Sequence, residues 1–312
     1  MEERIEKLES GSGHGRTRPQ SGVEERIDEL LDRAWTERMA HHSPTLVAAV
    51  PNRTLPVTVT GAGCGLACLH CRGHYLRTML PKERAIATYH ERGFTSCLIS
   101  GGCDVQGQVP LGSHLGFLQE MKRNGARLNL HVGLAGPDTA RQLAGLADSI
   151  SLDFVGDDET VREVYGLDRP AGDYVETYRE FAKFLPVYPH VCIGLRGGKI
   201  SGEYRALEQL AGLQAPVAVF LVLIPTRGTP YEHVSPPSLE EVSRVLATAR
   251  VMMPRASLYL GCMRPGGTYR KELDQLAVRS GVQKIVQPAR AALELATRLG
   301  LAVHRQEECC VL

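Results

Sequence analysis

The sequence of 312 residues predicts a parallel α/β barrel built from eight strand–helix units, a (βα)8 TIM-type fold. Two observations predict it. Eight short β-rich runs between residues 56 and 288 are separated by stretches long enough for a helix, and parallel strands need such crossover connections. The run VAVFLVLI (217–224) is apolar without alternation, which is typical of a strand covered on both faces. In such a barrel the catalytic residues lie on the loops that follow the strands.

The barrel is preceded by an extension and followed by a short tail that contains two cysteines. In the extension, the polar segment GSGHGRTRPQSG (11–22) has no apolar periodicity and is expected to be mobile. After it, Ile27, Leu30, Leu31 and Trp35 recur at helical spacing, which predicts an amphipathic helix. The predicted division is an N-terminal extension (1–49), the barrel (50–303) and a C-terminal tail (304–312).

The eight predicted strands follow this helix in regular succession. They are PVTVTG (56–61), SCLISGG (96–102), LNLHVG (128–133), SISLDF (149–154), VCIGL (191–195), VAVFLVLI (217–224), SLYLGC (257–262) and KIVQP (284–288). Because residues that end a barrel strand lie at its catalytic mouth, each strand end is a candidate position for the active site.

Composition and charge exclude several classes of protein. Hydrophobic residues make up 43% of the chain and charged residues 23%, which is typical of a globular protein with a sizeable core. The 36 Lys and Arg almost balance the 35 Asp and Glu, so no basic excess favours nucleic acid or a membrane surface as a partner. The apolar run 215–225 is about half a membrane span, and the charged N-terminus does not resemble a signal peptide. We expect a soluble protein of the cytoplasm.

Nine cysteines need an explanation in such a protein. An odd number cannot all pair within one chain, and a reducing cytosol disfavours a disulfide framework. Metal ligation or catalysis is the better interpretation.

The most specific motif is the segment GAGCGLACLHCRGHYL, which follows the first predicted strand. Its cysteines Cys64, Cys68 and Cys71 have the spacing C-x3-C-x2-C, and a short loop with three thiolates can hold an iron–sulfur cluster. Three ligands for four irons would leave one iron open to substrate. The alternative is a structural zinc site, for which His70 or His74 would supply the fourth ligand.

This spacing after the first strand of a βα barrel resembles the signature of the radical S-adenosylmethionine (SAM) superfamily. The resemblance implies a [4Fe-4S] cluster on the three cysteines, whose open iron chelates SAM, and reductive cleavage of SAM that starts hydrogen abstraction from a substrate. The family usually has an aromatic residue just before the third cysteine, where this chain has His70.

Further positions resemble the biotin-synthase branch of that superfamily. Ser100, Gly101 and Gly102 stand where the family has a glycine pair that receives the SAM amino group. Ser151 and Asp153 stand where biotin synthase has an N-x-D pair for the SAM ribose, although Asp153 could instead cap a helix.

The SAM carboxylate is assigned less directly by this resemblance. The family has an arginine for it where this chain has Thr177, and Arg196 is the candidate substitute because its guanidinium suits a carboxylate. A surface role for Arg196 is the alternative. The segment LIPTRGTPYE (223–232) resembles a loop that helps to hold the adenosine end of SAM.

The other cysteines bear on the type of reaction. Cys97 and Cys192 are expected to be core residues, whereas Cys103 and Cys262 end strands at the predicted mouth. Cys309 and Cys310 lie in a tail that could fold back over that mouth. A second, auxiliary [4Fe-4S] cluster needs four thiolate ligands, and the four candidates are Cys103, Cys262, Cys309 and Cys310. The alternatives are free thiols in the tail, or a prenylation box formed by CCVL.

A SAM cluster and an auxiliary cluster together suggest sulfur insertion at an unactivated C–H bond. The single-chain lipoyl synthases have an auxiliary C-x4-C-x5-C motif and a C-terminal R-S-x-S, and this chain has neither. It looks more like a subunit of the two-protein lipoyl synthases. That resemblance implies an octanoylated carrier protein or peptide as substrate, a second radical SAM subunit, and an electron donor such as ferredoxin or flavodoxin. A maturase or methylase type of radical SAM enzyme, without sulfur donation, and a zinc-stapled binding protein are the alternatives.

Overall fold

The structure is a computed structural model that describes residues 25–312; the polar segment 11–22 lies outside them. The helices are α1 (Ile27–His41), α2 (Ala85–Glu91), α3 (Leu115–Arg123), α4 (Pro137–Leu143), α5 (Asp158–Thr160), α6 (Gly172–Ala182), α7 (Glu203–Gly212), α8 (Leu239–Met252), α9 (Gly267–Arg279) and α10 (Arg290–Arg298). The strands are β1 (Thr45–Ala49), β2 (Thr54–Thr58), β3 (Leu80–Pro81), β4 (Ser96–Ser100), β5 (Arg127–His131), β6 (Ser149–Asp153), β7 (Val187–Ile193), β8 (Val217–Val222), β9 (Ser257–Leu260), β10 (Lys284–Val286) and β11 (Ala302–Gln306). Short 3₁₀ turns at Tyr75–Thr78, Lys82–Arg84 and Leu111–His114 and a π-helical turn at Val161–Tyr165 complete the regular structure.

The strands form one parallel sheet in the order β11-β1-β10-β9-β8-β7-β6-β5-β4-β2-β3. The predicted α/β barrel fold and all eight predicted strands are confirmed. Three strands were not predicted, namely β1, β3 and β11. Within residues 25–312 no strand ladder joins the edge strands β11 and β3, so the sheet is curled but open, whereas the sequence favoured a closed barrel.

Side-chain alternation on β4 to β6 separates the core from the interior of the barrel. On β5, Leu128 and Leu130 are fully buried in the main core that the helices cover. The intervening Asn129 and His131 make polar contacts inside the barrel, with Ser151 and Asp153 of the neighbouring β6. Because successive side chains of a strand point to opposite faces, the interior of this half of the barrel is polar.

The predicted N-terminal amphipathic helix is confirmed as α1. Its buried face, including Leu30, Leu31 and Ala34, packs with Ala247 of α8. Arg38 near its end is fully buried and donates hydrogen bonds to the carbonyls of Ser43 and Thr45, and thereby ties the helix to the start of β1. No helix of the described residues is long and apolar enough to cross a membrane.

The C-terminal tail runs along the residues that lead into β2 and then turns into the barrel interior. The amide of Arg53 donates to the carbonyl of Glu307 at 2.9 Å, and the amide of Cys309 donates to Oγ1 of Thr54 at 2.7 Å. Cys310 and Val311 are buried in a small apolar cluster with Ala49, Val219 and Val286. The tail therefore folds back into the barrel at the level where β2 begins, beside the last residues of β1 and β10.

Candidate active site

The three cysteines of the C-x3-C-x2-C motif lie on the loop between β2 and β3. Cys64 is exposed, Cys68 is buried and Cys71 is half-buried. Burial and the nearby Cys71 and Cys64 thiols raise the pKa of Cys68 to about 12. Burial also raises the pKa of Cys71, although backbone N–H groups of Tyr75, Gly73 and His74 favour its thiolate. Three mutually close thiols whose anions disfavour one another are a donor set that a cationic iron centre would stabilise.

The glycine pair after β4 packs directly against this cysteine loop. A Cβ atom on Gly102 would overlap the carbonyl oxygen of Gly63 and lie 2.5 Å from Cα of Cys64. The amide of Gly102 donates to Oγ1 of Thr60 at 2.7 Å. Only glycine fits this close approach of two backbones, so the two segments that the resemblance assigns to the cluster and to SAM are held together.

The two candidate fourth ligands of a zinc site differ in their surroundings. The His70 ring makes an edge contact with Tyr165, with 5.6 Å between centroids, and its buried Nδ1 has no hydrogen-bond partner among residues 25–312. His74 makes an edge contact with the Tyr75 ring at 5.3 Å. Across residues 25–312 no three His, Cys, Asp or Glu side chains are grouped so that they could hold a single metal ion.

Asp153 ends β6 inside the mouth, where its side chain is 37% exposed. Its Oδ1 lies 3.3 Å from Nε2 of His131. Burial opposes ionisation of this carboxyl, but the charge of His131 and the hydrogen bond to it dominate and lower the pKa of Asp153 to about 2. Asp157, and not Asp153, caps the following helix α5, because its side chain accepts from the amide of Thr160. An ionised, accessible carboxylate without a capping role is suited to accept hydrogen bonds from ribose hydroxyls.

The other predicted SAM residues lie in different surroundings. Ser151 is only 3% exposed and donates to Oδ1 of Asn129 at 3.0 Å, one layer deeper than Asp153. Arg196 is held by two carboxylates, through bonds of 2.6 and 2.7 Å to Glu163 and an ion pair with Glu159. A SAM carboxylate would therefore have to displace these glutamates from the guanidinium.

The loop after β8 is joined to the cysteine loop. The hydroxyl of Tyr75 lies 2.7 Å from Oγ1 of Thr226. The segment that resembles the adenosine-binding loop is thus attached to the segment that follows the third cysteine. A cleft lined by Asp153, Tyr165, His190 and Cys192 runs between the ends of β6 and β7.

The four cysteines predicted for an auxiliary cluster fall into two groups. Cys103 lies beside the first cysteine loop, where its carbonyl accepts from the amide of Gly65 at 2.6 Å. Its pKa is raised by burial and by the Cys64 thiol. Cys262, Cys309 and Cys310 form a second group inside the barrel, hereafter the tail cysteine group, in which the pKa of Cys262 is raised by burial and by Cys309.

Within the tail cysteine group the thiols are held by polar contacts. Cys309 Sγ accepts a hydrogen bond from the side-chain Nδ2 of Asn129 at 3.8 Å, and a hydrogen bond from Cys310 lowers the pKa of Cys309. Lys284 Nζ donates to the carbonyl of Cys310 at 2.6 Å and lies 4.5 Å from the centre of the Tyr259 ring. A thiolate is therefore stabilised at Cys309, which is the form that ligates metals.

Sequence reasoning missed four interior side chains that contact these groups, namely Asn129, His131, His190 and Lys284. The sequence did indicate Asn129 and His131, because these polar residues alternate with leucines in the predicted strand LNLHVG. In a barrel strand that pattern indicates side chains directed to the interior.

Comparisons with known proteins agree with this site. No family model matches the chain. It is 28% identical over 309 residues to biotin synthase of Pseudomonas aeruginosa (91% of this chain and 86% of the relative), and 24% identical over 316 residues to biotin synthase of Marinobacter nauticus (91% and 85%).

Two solved structures share the fold. Methylornithine synthase (PylB) superposes with a TM-score of 0.63 at 15% identity, over 91% of both chains. The FeFe-hydrogenase maturase HydG of Carboxydothermus hydrogenoformans superposes with a TM-score of 0.67 at 16% identity, over 91% of this chain and 73% of that chain.

The curled parallel barrel and the C-x3-C-x2-C loop after β2 agree with the resemblance to radical SAM proteins, which the comparisons support. Within that class, the chain is similar to biotin synthases over nine-tenths of its length, at 28% identity. A [4Fe-4S] cluster and SAM are the cofactors that this class implies, and the donor set of the cysteine loop fits them.

Proposed function

We propose that the protein inserts sulfur into an octanoyl group on a carrier protein or peptide, as one subunit of a two-protein lipoyl synthase. The observation that carries the proposal is the tail cysteine group, in which Cys309 and Cys310 lie inside the barrel near Cys262. When bound, the cofactors would supply the electron that cleaves SAM and the sulfide for the new C–S bond.

In this proposal the chain's residues hold two centres on either side of the substrate space. The cysteine loop after β2 binds the SAM cluster, with Asp153 accepting from the ribose. The tail cysteine group binds the auxiliary cluster. Because Cys103 lies beside the cysteine loop, only Cys262, Cys309 and Cys310 remain as ligands of the auxiliary cluster. A labile fourth ligand position suits an iron that gives up its sulfide.

Apolar side chains on β7 to β10 suit an alkyl chain between these centres. Leu221, Tyr188 and Tyr259 pack partly buried around the cluster that contains Val219 and Val286. An octanoyl chain gains about 0.8 kcal/mol for each methylene that it buries. The other half of the interior, formed by β4 to β6, is polar, and in this proposal it binds SAM.

The proposal includes the octanoylated carrier, a second radical SAM subunit and an electron donor such as ferredoxin or flavodoxin as partners. It also assigns the protein to the cytoplasm. Co-purification of the two radical SAM subunits under anaerobic conditions tests the interaction with the second subunit directly.

The decisive experiment compares bound iron in the wild type and in the double variant Cys309→Ser, Cys310→Ser after anaerobic reconstitution. We expect about eight iron atoms per chain in the wild type and about four in the variant. Cys97→Ala is the matched control, because Cys97 is fully buried in the helix-covered core, and it should keep about eight. Eight irons in the double variant would exclude the tail as a ligand source.

Sulfur insertion is measured separately, by mass spectrometry of an octanoylated peptide incubated with SAM and reductant. The wild type should add sulfur and the double variant should not, while both produce 5′-deoxyadenosine. An enzyme that binds eight irons but adds no sulfur would instead be a maturase or methylase type of radical SAM enzyme. A colourless protein without absorbance at about 400 nm would instead support the zinc-stapled binding protein.

A further inference from the structure

A single imidazole connects two strand ends in the polar half of the barrel. Nε2 of His131, on β5, lies 3.3 Å from Oδ1 of Asp153 on β6. Its other nitrogen, Nδ1, lies 3.5 Å from Oγ of Ser100, the residue before the glycine pair. Both partners are positions that the resemblance assigns to SAM, whereas His131 itself has no assigned role.

We infer that His131 is a positioning residue of the SAM site, which holds the carboxylate of Asp153 in the orientation that accepts the ribose hydroxyls. The inference is independent of sulfur insertion, because it concerns SAM alone. It rests on Asp153 as the ribose ligand, and the experiment below tests that premise separately.

The surrounding charges favour this role. Burial would lower the pKa of His131, but the Asp153 charge and hydrogen bond outweigh burial and raise it. His190, on the other side with 6.5 Å between ring centres, has its pKa lowered to about 4 by burial and His131. Burial likewise lowers the pKa of His70. Of these three histidines, His131 is therefore the one whose charged form is favoured beside the Asp153 carboxylate.

The remaining titratable groups near Asp153 do not supply a cation. They are Tyr165, Tyr174, Cys68, Cys103 and Cys192, all with a raised pKa and therefore neutral near pH 7 when no metal is bound. Without His131, the Asp153 carboxylate would lose its hydrogen-bond donor and could rotate away from the mouth or take up a proton.

The experiment measures the SAM dissociation constant by equilibrium dialysis on reconstituted protein without reductant, so that no turnover occurs. His131→Phe keeps a ring in place but cannot donate, and should weaken SAM binding about tenfold. His131→Gln keeps an N–H donor without a titratable group, and should stay within about threefold of the wild type.

The coupling to Asp153 separates a positioning role from a merely structural one. Asp153→Ala should also weaken binding about tenfold, and the double variant His131→Phe, Asp153→Ala should be no weaker than Asp153→Ala alone, because His131 acts through that carboxylate. Iron content and melting temperature of each variant show whether the fold and the cluster are intact.

The pH dependence gives a second readout. Because the pKa of His131 is raised, its charged form persists to a higher pH than that of an ordinary histidine and is lost as the pH rises through the raised pKa. Wild-type affinity should therefore fall with rising pH above about 6.5, the ordinary histidine pKa, more steeply than that of His131→Gln. Additive losses in the double variant, or identical pH profiles for wild type and His131→Gln, would overturn the inference. An unchanged affinity in Asp153→Ala would overturn its premise.

Discussion

Glu308 anchors the tail immediately before Cys309, and its replacement should release the tail cysteines. Its Oε1 accepts from Oγ1 of Thr95 at 2.6 Å, and its Oε2 pairs with Arg127. The variant Glu308→Gln keeps the size of the side chain but removes the charge. Because Arg127 is 48% exposed, this ion pair contributes roughly 1 kcal/mol to docking of the tail, so the undocked population should rise about fivefold.

The assay is the rate at which iodoacetamide alkylates Cys309 and Cys310 in the metal-free protein, followed by mass spectrometry of the C-terminal peptide. Both thiols are largely covered when the tail is docked, so the rate reports the open population. Glu307→Gln is the matched control, since Glu307 is exposed. We expect alkylation about fivefold faster in Glu308→Gln than in this control, with the difference reduced in about 1 M salt.

Two outcomes would refute this reasoning. Equal alkylation rates in Glu308→Gln and Glu307→Gln would mean that the ion pair does not hold the tail. Equal acceleration at Cys97, which lies in the main core, would mean that the variant destabilises the whole fold and not the tail alone.

Three further predictions follow from the site and the core. Alanine at any one of the three cysteines of the loop after β2 should abolish 5′-deoxyadenosine formation; normal SAM cleavage in any of these variants would contradict the radical SAM mechanism. Asp153→Ala should raise the SAM dissociation constant about tenfold, as equilibrium dialysis would show, and an unchanged constant would exclude it as a ligand. Asp274→Ala removes the carboxylate that lies 2.7 Å from the fully buried guanidinium of Arg264. Urea titration should therefore show that the free energy of unfolding falls by roughly 3–5 kcal/mol. A loss below about 1 kcal/mol would show that solvent or carbonyl groups replace the carboxylate.

The eight main strands could be predicted because their apolar runs are separated by helix-length segments. The two missed edge elements lack that signal. Four of the five residues of β11, AVHRQ, are exposed, so no hydrophobic pattern marks it, and β3 has only two residues. A strand on the edge of a sheet needs no second buried face, and its sequence therefore resembles that of a loop.

The grouping of the cysteines could not be predicted, although each candidate could be named. Cys103 and Cys262 both follow strands, which places them near the mouth. The hydrogen bond between Gly65 and Cys103 shows that Cys103 lies beside the cysteine loop. The position of the tail depends on how far the strand register shifts around the barrel. That shift places the start of β2 level with the ends of β1 and β11, which no local pattern in the sequence reveals.

The open sheet itself explains why the tail enters the barrel. The β1–β2 connection continues the pairing of β1 with β11. The amide of Val50 donates to the carbonyl of Gln306, the last residue of β11, and the amide of Arg53 donates to the carbonyl of Glu307 in the tail. Two residues further, Cys309 donates to Thr54 and the following residues turn inward. This backbone pairing at the edge of the sheet therefore brings the tail cysteines to the interior.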